Sequence, residues 1–238
     1  MLPLVIEGLV AGYGDLQVLR GVNLTAPRGG LTLVIGPNGS GKSTLLKTVF
    51  GMTRVFSGRI TLGDREITRM KPHEIVRAGV GYVMQRRSVF PYLTVEENLR
   101  MGGWAIRDDS SKLQRNIDAV LELFPQLKEL LNRKAVLLSG GQARLLEIAR
   151  TLVADPALVM IDEPSAGLSP KMANAVYQHI MRLKEFGKTV LLVEQNVRSA
   201  LPLADHVCVM REGTVVLASP REEVEGQLRD VIASWLRY

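Results

Sequence analysis

The sequence predicts an α/β fold with a parallel β-sheet at its core, an antiparallel β subdomain and an inserted helical subdomain. Nearly continuous apolar runs at residues 31–35, 158–161 and 189–193 are typical of parallel strands buried on both faces. Shorter apolar stretches near the N-terminus, separated by glycine-containing turns, indicate antiparallel strands. Between residues 94 and 154, strand signals fade and apolar residues recur with helical periodicity.

The antiparallel subdomain is predicted from short strands at residues 4–10 and 17–24. A hairpin is predicted at 59–67, with Gly63-Asp64 at its tip. A second hairpin is predicted near the C-terminus, over residues 207–218. We expect these short strands to pair antiparallel.

Helix boundaries are indicated by capping residues. One helix is predicted to begin at Ser169-Pro170, with the serine as N-cap and the proline in the first turn, and to end at Gly187. Thr94 and Glu97 form a predicted capping box at the start of the helical insert. A helical stripe follows in that insert, made of Leu113, Ile117, Val120, Leu121 and Phe124.

We expect these elements to form a single domain over residues 1–238. Residues 1–85 and 155–220 are assigned to the β and parallel-sheet core. Residues 86–154 are assigned to the helical subdomain, and residues 221–238 to a helical tail.

Composition excludes several classes of protein. The chain is 46% hydrophobic and 23% charged, which is ordinary for a globular protein, and no stretch approaches the roughly 20 apolar residues of a membrane span. The net charge is +6, but the basic residues are scattered and densest at Arg86-Arg87, so we expect no nucleic-acid partner. The single cysteine, Cys208, lies in an apolar run and is predicted to be buried and reduced.

A glycine-rich loop follows the first core strand. Residues 36–43 read GPNGSGKS, the pattern G-x-x-x-x-G-K-[ST] placed between a strand and a helix. The glycines let backbone N–H groups turn toward a phosphate, and the following helix presents its positive end to the same anion. Lys42 can reach the outer phosphates, and the Ser43 hydroxyl can ligate Mg²⁺. The predicted triphosphate-binding residues are Gly36, Pro37, Asn38, Gly39, Ser40, Gly41, Lys42, Ser43 and Thr44.

Two adjacent acids end a second core strand. Asp162 closes the apolar run 158–161 and Glu163 follows it. A carboxylate at the C-terminal end of a strand beside a phosphate loop can hold Mg²⁺, directly or through water. The neighbouring carboxylate can polarise an attacking water molecule. Hydrolysis of an anhydride needs both tasks, so Asp162 is the predicted metal ligand and Glu163 the predicted base.

A third motif begins a predicted helix within the insert. Residues 138–142 read LSGGQ; Ser139 can cap the helix, while Gly140 and Gly141 let an anion approach its free N–H groups. Ser139, Gly140, Gly141 and Gln142 are therefore predicted to bind nucleotide as well. The chain thus has two helix N-termini that suit a phosphate, in separate parts of the fold. One nucleotide can contact both kinds of N-terminus if two chains meet head to tail.

Together these motifs resemble the nucleotide-binding subunit of ATP-binding cassette (ABC) transporters, over about residues 4–220. The resemblance implies a P-loop NTPase fold with a RecA-like parallel sheet, and ATP and Mg²⁺ as cofactors. Residues 138–142 match the family signature, and Gln85 matches the Q-loop glutamine that senses Mg²⁺ and links the core to the helical subdomain. Tyr13 matches the aromatic residue that stacks on adenine, although a plain turn tyrosine is the alternative. The implied catalytic residues are Glu163, Gln195 and Gln85, and the implied metal ligands are Ser43, Gln85 and Asp162.

Two positions depart from the family pattern. Most members have a histidine that touches the γ-phosphate where this chain has Gln195, and an aspartate where this chain has Ser169. A glutamine donates a hydrogen bond but cannot carry a proton's charge. We therefore expect nucleotide binding to be kept and the rate of hydrolysis to depend on these two changes.

Segments 86–99, 163–170 and 194–197 are most similar to the smaller ATPase of branched-chain amino acid uptake systems. That similarity implies a second ABC ATPase subunit (the same or a sister chain), two transmembrane permease subunits and, indirectly, an extracytoplasmic substrate-binding protein. It also implies a cytoplasmic location on the inner face of the cell membrane, held there by the permeases. Phe90, Pro91 and Tyr92 are candidate permease contacts, with core packing or a plain turn as the alternative.

Three other functions stay open from the sequence. A urea or lipopolysaccharide transport system is possible, because this subunit does not touch the solute. A non-transport ABC ATPase acting on DNA or ribosomes is a second alternative, although such proteins usually carry long coiled-coil insertions or two cassettes. A nucleotide-gated assembly module with little turnover is the third, suggested by Gln195 and Ser169.

Overall fold

The computed structural model of this chain describes residues 2–85 and 88–224. Its strands fall into two sheets, one antiparallel and one largely parallel. The strands are β1 (Leu4–Tyr13), β2 (Leu16–Ala26), β3 (Leu31–Ile35), β4 (Arg54–Leu62), β5 (Arg65–Glu66), β6 (Val80–Val83), β7 (Leu158–Asp162), β8 (Thr189–Val193), β9 (His206–Arg211) and β10 (Thr214–Pro220).

The larger sheet has the order β10-β9-β3-β8-β7-β6. Neighbouring strands from β9 to β6 run parallel, and β10 pairs antiparallel with β9 at the edge. Every residue of β3, β7 and β8 is buried, which confirms the prediction of core strands from uninterrupted apolar runs. The predicted C-terminal hairpin is β9–β10, and its first strand also joins the parallel core beside β3. The carboxyl ends of β3, β7 and β8 therefore lie next to one another.

The smaller sheet has the order β2-β1-β4-β5, with antiparallel pairing throughout. Gly63-Asp64 forms the tip between β4 and β5, as predicted. Leu4, Ile6 and Leu9 of β1 are buried against the face of the core sheet that carries Val34. This packing places the β1–β2 hairpin over the segment that follows β3.

The helices are α1 (Lys42–Val49), α2 (Pro72–Arg77), α3 (Val95–Gly102), α4 (Ser110–Leu123), α5 (Gly140–Leu152), α6 (Pro170–Glu185), α7 (Val197–Ala200) and α8 (Arg221–Val224). Single turns of 3-10 helix lie at Trp104–Ile106, Ala135–Leu137 and Leu201–Leu203, with a longer one at Pro125–Leu130. None of these helices is long and apolar enough to cross a membrane.

The helical insert occupies the chain between β6 and β7. The Thr94 side chain accepts a hydrogen bond from the Glu97 N–H and the Glu97 carboxylate accepts one from the Thr94 N–H, which confirms the predicted capping box. Ile117, Val120 and Phe124 pack in the same apolar cluster as Leu33 of the core sheet. The insert is therefore anchored to the sheet by one continuous core, and the division into subdomains at residues 85/86 and 154/155 stays a prediction.

Two sequence predictions fall partly outside the described residues. The helical tail predicted over 221–238 begins with α8, and its residues 225–238 lie outside the described chain. The basic pair Arg86-Arg87 also lies outside it. Cys208 is buried as predicted, and burial raises the pKa of its thiol to about 12.

Candidate functional site

The glycine-rich loop connects β3 to α1 and is packed tightly against β9. A Cβ atom on Gly36 would lie 2.2 Å from the backbone oxygen of Met210 and 2.7 Å from Ser40 Oγ. Gly41, the N-cap of α1, has a φ of 102°, and no side chain caps that helix start. The loop accordingly excludes side chains at these positions and leaves the first N–H groups of α1 open to an anion.

Lys42 lies inside this loop and is only 5% exposed. Its Nζ donates hydrogen bonds to the carbonyl oxygens of Gly36 and Pro37, each at 2.9 Å. Burial lowers the pKa of this ammonium, and the nearby carboxylates of Glu163 and Asp162 counteract that effect. Burial removes water from this ammonium, and the N–H groups of the first turn of α1 lie beside it. The loop therefore favours the binding of an anion.

Asp162 ends β7 directly opposite the start of α1. Ser43 Oγ donates to Asp162 Oδ1 at 3.0 Å, and Tyr82 Oη donates to Asp162 Oδ2 at 3.3 Å. Burial raises the pKa of Asp162, and the hydrogen bond from Ser43 opposes the rise. Burial and the Asp162 charge also raise the pKa of Tyr82, which keeps its hydroxyl protonated as a donor.

The donor set at Asp162 fits Mg²⁺. This cation binds hard oxygen ligands, takes only one or two protein ligands and completes its shell with water and substrate phosphates. Ser43 Oγ and Asp162 Oδ1 provide two such oxygens side by side, next to the phosphate-binding loop. The hydrogen bond of Gln85 goes to Glu163, so Gln85 stands beside this pair and its role as a metal ligand stays a prediction.

Glu163 follows Asp162 in a strained conformation and is held by two amide groups. Its φ of 46° lies in the left-handed region that non-glycine residues seldom adopt. Gln85 Nε2 donates to Oε2 at 2.6 Å, and Gln195 Nε2 donates to Oε1 at 2.8 Å. The predicted catalytic residues Glu163, Gln85 and Gln195 are thus in direct contact, and the carboxylate has one fixed orientation.

The loop that carries Gln195 is anchored by Glu194, which sequence reasoning missed. This carboxylate is 1% exposed and accepts hydrogen bonds from the N–H groups of Ser165 and Gln195 and from Tyr177 Oη, each at 3.0 Å. Burial raises the pKa of Tyr177, so its hydroxyl stays a donor. Glu194 therefore ties the Gln195 loop to the loop that follows Glu163.

Ser139, Gly140, Gly141 and Gln142 begin α5, and none of the hydrogen bonds among the described residues joins them to this cluster. The Ser139 side chain accepts a hydrogen bond from the Gln142 N–H at 3.3 Å, and Gln142 Oε1 accepts one from the Ser139 N–H at 3.0 Å, so the predicted cap is a full capping box at the start of α5.

Tyr13 ends β1 and is 43% exposed, two residues beyond the pair Ala11–Leu19. The same hairpin carries Leu19, whose side chain packs beside Gly41 of the phosphate loop.

Two further buried residues, Tyr82 and Arg144, also support the site and were not predicted. Nothing in the sequence indicated a role for Tyr82 in the site, apart from its position shortly before Gln85. Arg144 and Glu147 did carry a signal, because two opposite charges three residues apart on a helix are neighbours on its surface. Such a pair on a buried helix indicates a buried ion pair, and the structure shows one at 2.8 Å.

A parallel sheet with a phosphate loop after one strand, a paired acid after a neighbouring strand and an inserted helical segment defines a P-loop nucleotide-binding protein of the cassette type. The sequence model of the ABC transporter family matches residues 19–166. This chain belongs to that family.

The comparisons with individual proteins agree with this assignment. The chain is 42% identical over 217 residues to the probable branched-chain amino acid transport ATP-binding protein LivF of Archaeoglobus fulgidus, covering 91% of each chain. It is 42% identical to the high-affinity branched-chain amino acid transport ATP-binding protein BraG of Pseudomonas aeruginosa, covering 86% of this chain and 87% of that one. Among solved structures, the ADP conformation of an ATP-binding cassette of an ABC transporter matches with a TM-score of 0.89 at 31% identity, covering 100% of both chains.

The buried carboxylate of Asp162 gives the first testable prediction. A carboxyl group whose pKa is raised by folding costs the folded state stability when it is ionised, and that cost disappears as the pH falls below the unfolded-state pKa. Asp162→Asn is therefore expected to raise the Tm of the metal-free protein at pH 7.5. The gain should shrink toward pH 4, while Mg²⁺-dependent hydrolysis is lost.

Thermal melts in EDTA at both pH values test this prediction, and Asp64→Asn at the exposed hairpin tip is the matched control. An unchanged or lower Tm for Asp162→Asn at pH 7.5 contradicts it.

Proposed function

We propose that this chain is the ATP-binding and ATP-hydrolysing subunit of an ABC importer, and that the imported solutes are branched-chain or other hydrophobic amino acids. The observation that carries the proposal is the contact of Glu163 with Gln85 and Gln195 beside the Ser43–Asp162 pair. This cluster combines a metal-binding pair and an oriented base at the mouth of a phosphate loop. The identity to the two transport ATP-binding proteins supports the choice of solute.

In this proposal the loop residues Gly36, Pro37, Asn38, Gly39, Ser40, Gly41, Lys42, Ser43 and Thr44 bind the phosphates of ATP, and Tyr13 stacks on the adenine. Lys42 exchanges its contacts with the Gly36 and Pro37 carbonyls for phosphate oxygens. Ser43 and Asp162 hold Mg²⁺, with Gln85 beside them, and the metal supplies charge neutralisation on the phosphates. Glu163 accepts a proton from the attacking water, while Gln85 and Gln195 keep its carboxylate oriented.

The helix start at Ser139, Gly140, Gly141 and Gln142 serves the nucleotide of a second ABC ATPase subunit. The support for this assignment is that Ser139 and Gln142 bond with each other, and that no hydrogen bond among the described residues joins this helix start to the cluster around Glu163. Their N–H groups at the start of α5 suit a phosphate that arrives from outside the chain. The second subunit is either another copy of this chain or a sister ATPase.

The permease-facing surface is proposed to include Phe90, Pro91 and Tyr92. Phe90 is 42% and Tyr92 is 79% exposed, which favours a contact surface over core packing. Two transmembrane permeases bound there would hold the chain on the cytoplasmic face of the membrane and connect it indirectly to an extracytoplasmic substrate-binding protein. ATP-driven closure of the two ATPase subunits would change the conformation of the permeases.

Uptake and fractionation test this function together. Cells that carry the chromosomal Lys42→Ala variant are expected to lose ATP-driven uptake of radiolabelled leucine, while the parent chain is recovered with polytopic membrane proteins after crosslinking. Lys112→Ala, an exposed lysine on α4, is the control that should keep uptake. Unchanged leucine uptake with lost urea uptake or lost lipopolysaccharide export would reassign the solute, and recovery with ribosomes or chromatin would overturn the transport function.

Gln195 gives a second testable prediction. A charged imidazolium donor is stronger than a neutral amide by about 1 kcal/mol, which corresponds to roughly five- to tenfold in rate. Gln195→His is therefore expected to raise steady-state phosphate release at pH 6 by about that factor. The gain should fade at pH 8, because the imidazole loses its proton near pH 6.5. Gln114→His on the exposed face of α4 is the control.

Equal rates for the parent chain and Gln195→His at both pH values would show that position 195 does not limit hydrolysis. Little turnover in either protein would instead favour a nucleotide-gated assembly module.

A further inference from the structure

One arginine connects the three motif-bearing segments of the site. Arg144 lies on α5, two residues after the LSGGQ motif, and is 6% exposed. Its guanidinium donates to four backbone carbonyl oxygens, those of Met84 (2.8 Å), Asp162 (3.2 Å), Glu163 (2.9 Å) and Pro164 (3.2 Å). A single side chain therefore hydrogen-bonds to the backbone on both sides of Glu163 and to the carbonyl of the residue before Gln85.

The charge of Arg144 is balanced within the same helix. Glu147, 1% exposed, accepts a hydrogen bond from the Arg144 guanidinium at 2.8 Å. The other oxygen of Glu147 accepts a hydrogen bond from the Ser88 N–H, and Arg150 donates to the Ser88 carbonyl at 2.7 Å. Arg144, Glu147 and Arg150 recur every three residues, so one side of α5 bonds to both Met84 and Ser88.

We infer that Arg144 is a positioning residue for Glu163, and that Glu147 keeps it in place. Glu163 has a left-handed φ, which costs on the order of 1–3 kcal/mol and persists only when the surroundings impose it. The Glu163 N–H bonds to the Val193 carbonyl at 2.9 Å, and the Arg144 fork fixes the carbonyls of Asp162, Glu163 and Pro164. The fork therefore imposes the backbone turn that aims the carboxylate at Gln85 and Gln195.

The same contacts link the start of α5 to the base. Arg144 lies two residues after Gln142, and α5 is a single helix of 13 residues. A displacement of the LSGGQ end of this helix moves the guanidinium and with it the carbonyls that flank Glu163. This inference rests on the proposed function, because it assigns the geometry of hydrolysis to a contact between the signature helix and the base.

Two variants test the inference without leaving Glu147 as an uncompensated buried charge. Arg144→Lys keeps the ion pair with Glu147 but cannot bridge four carbonyls. The double variant Arg144→Gln with Glu147→Gln removes both buried charges, because Arg144→Gln alone would leave Glu147 buried and uncompensated. Arg182→Lys is the matched control, since Arg182 is partly buried and donates at 3.0 Å to the carbonyl of Leu123, outside the site.

The readouts are kcat, the Kd for a fluorescent ATP analogue and amide hydrogen exchange of the ATP-free protein. Both Arg144 variants should lower kcat by about 10- to 100-fold, since small misplacements of a reacting group have effects of that size. Their Kd should stay within about twofold, because the phosphate loop is untouched. Exchange of peptides covering 162–168 should accelerate at least about tenfold, and Arg182→Lys should change none of the three.

The outcomes separate this inference from the proposed function. Folded Arg144 variants with kcat within twofold of the parent chain and unchanged exchange at 162–168 would overturn the inference. If the parent chain itself hydrolyses no ATP, the proposed function fails, and the exchange data alone decide whether Arg144 fixes the Glu163 turn. A fall in kcat together with a rise in Kd, both in proportion to lost Tm, would also overturn it, because that pattern indicates general destabilisation.

Discussion

Lys42→Ala is expected to weaken ATP binding by about 10- to 100-fold or more. The ammonium is the cation inside the phosphate loop, and a hydrogen bond to a charged group contributes about 1.5–3 kcal/mol, with 1.4 kcal/mol corresponding to tenfold in Kd. Its pKa is lowered by burial, so the ATP-free protein holds a desolvated charge that a phosphate would compensate. The loss should therefore appear in the affinity for ATP and leave the fold intact.

Equilibrium titration with a fluorescent ATP analogue measures this effect, and circular dichroism reports the fold. Lys112→Ala removes the same charge from an exposed position on α4 and should bind like the parent chain. Parent-like affinity in Lys42→Ala would argue against the phosphate loop as the nucleotide site.

Glu163→Gln is expected to keep ATP binding and to slow hydrolysis by roughly 10²–10⁴-fold. The change is nearly isosteric but removes the group that accepts a proton from water. It also leaves one acceptor oxygen where the carboxylate now accepts from both Gln85 and Gln195. One of these glutamines must therefore rotate its amide so that its oxygen accepts from the new NH2 group, which keeps both contacts and preserves the site.

Single-turnover hydrolysis with saturating Mg²⁺ and ATP separates the chemical step from binding. Glu122→Gln makes the same chemical change on the exposed face of α4 and is the control. Hydrolysis at the parent rate in Glu163→Gln would mean that another group is the base.

Much of the fold was predictable because its signals are local. The strands at 31–35, 158–161 and 189–193 were evident from apolar runs that can only be buried on both faces. The caps at Thr94 and Ser139 were evident because threonine and serine suit the N-cap position, and Thr94 also has its reciprocal partner Glu97 three residues later. The strand β6 was not assigned, because a pattern of only four residues does not distinguish a strand from other structure.

The site was predictable where one residue type suits one task, as for the loop, Asp162 and Glu163. It was not predictable where a side chain acts through distant backbone atoms. Arg144 bonds to carbonyls up to 60 residues away, and Glu194 accepts a hydrogen bond from Ser165, 29 residues away. Sequence spacing carries no information about such contacts, since they depend on how β6, β7 and β8 lie side by side.

A crystal structure of the protein with Mg²⁺ and a non-hydrolysable ATP analogue tests the central claim most directly. We predict the phosphates inside the loop 36–43, Lys42 Nζ bonded to phosphate oxygens in place of the Gly36 and Pro37 carbonyls, the metal on Ser43 and Asp162, and Glu163 facing the terminal phosphate. A nucleotide bound elsewhere, or acids directed away from the loop, would contradict the assignment.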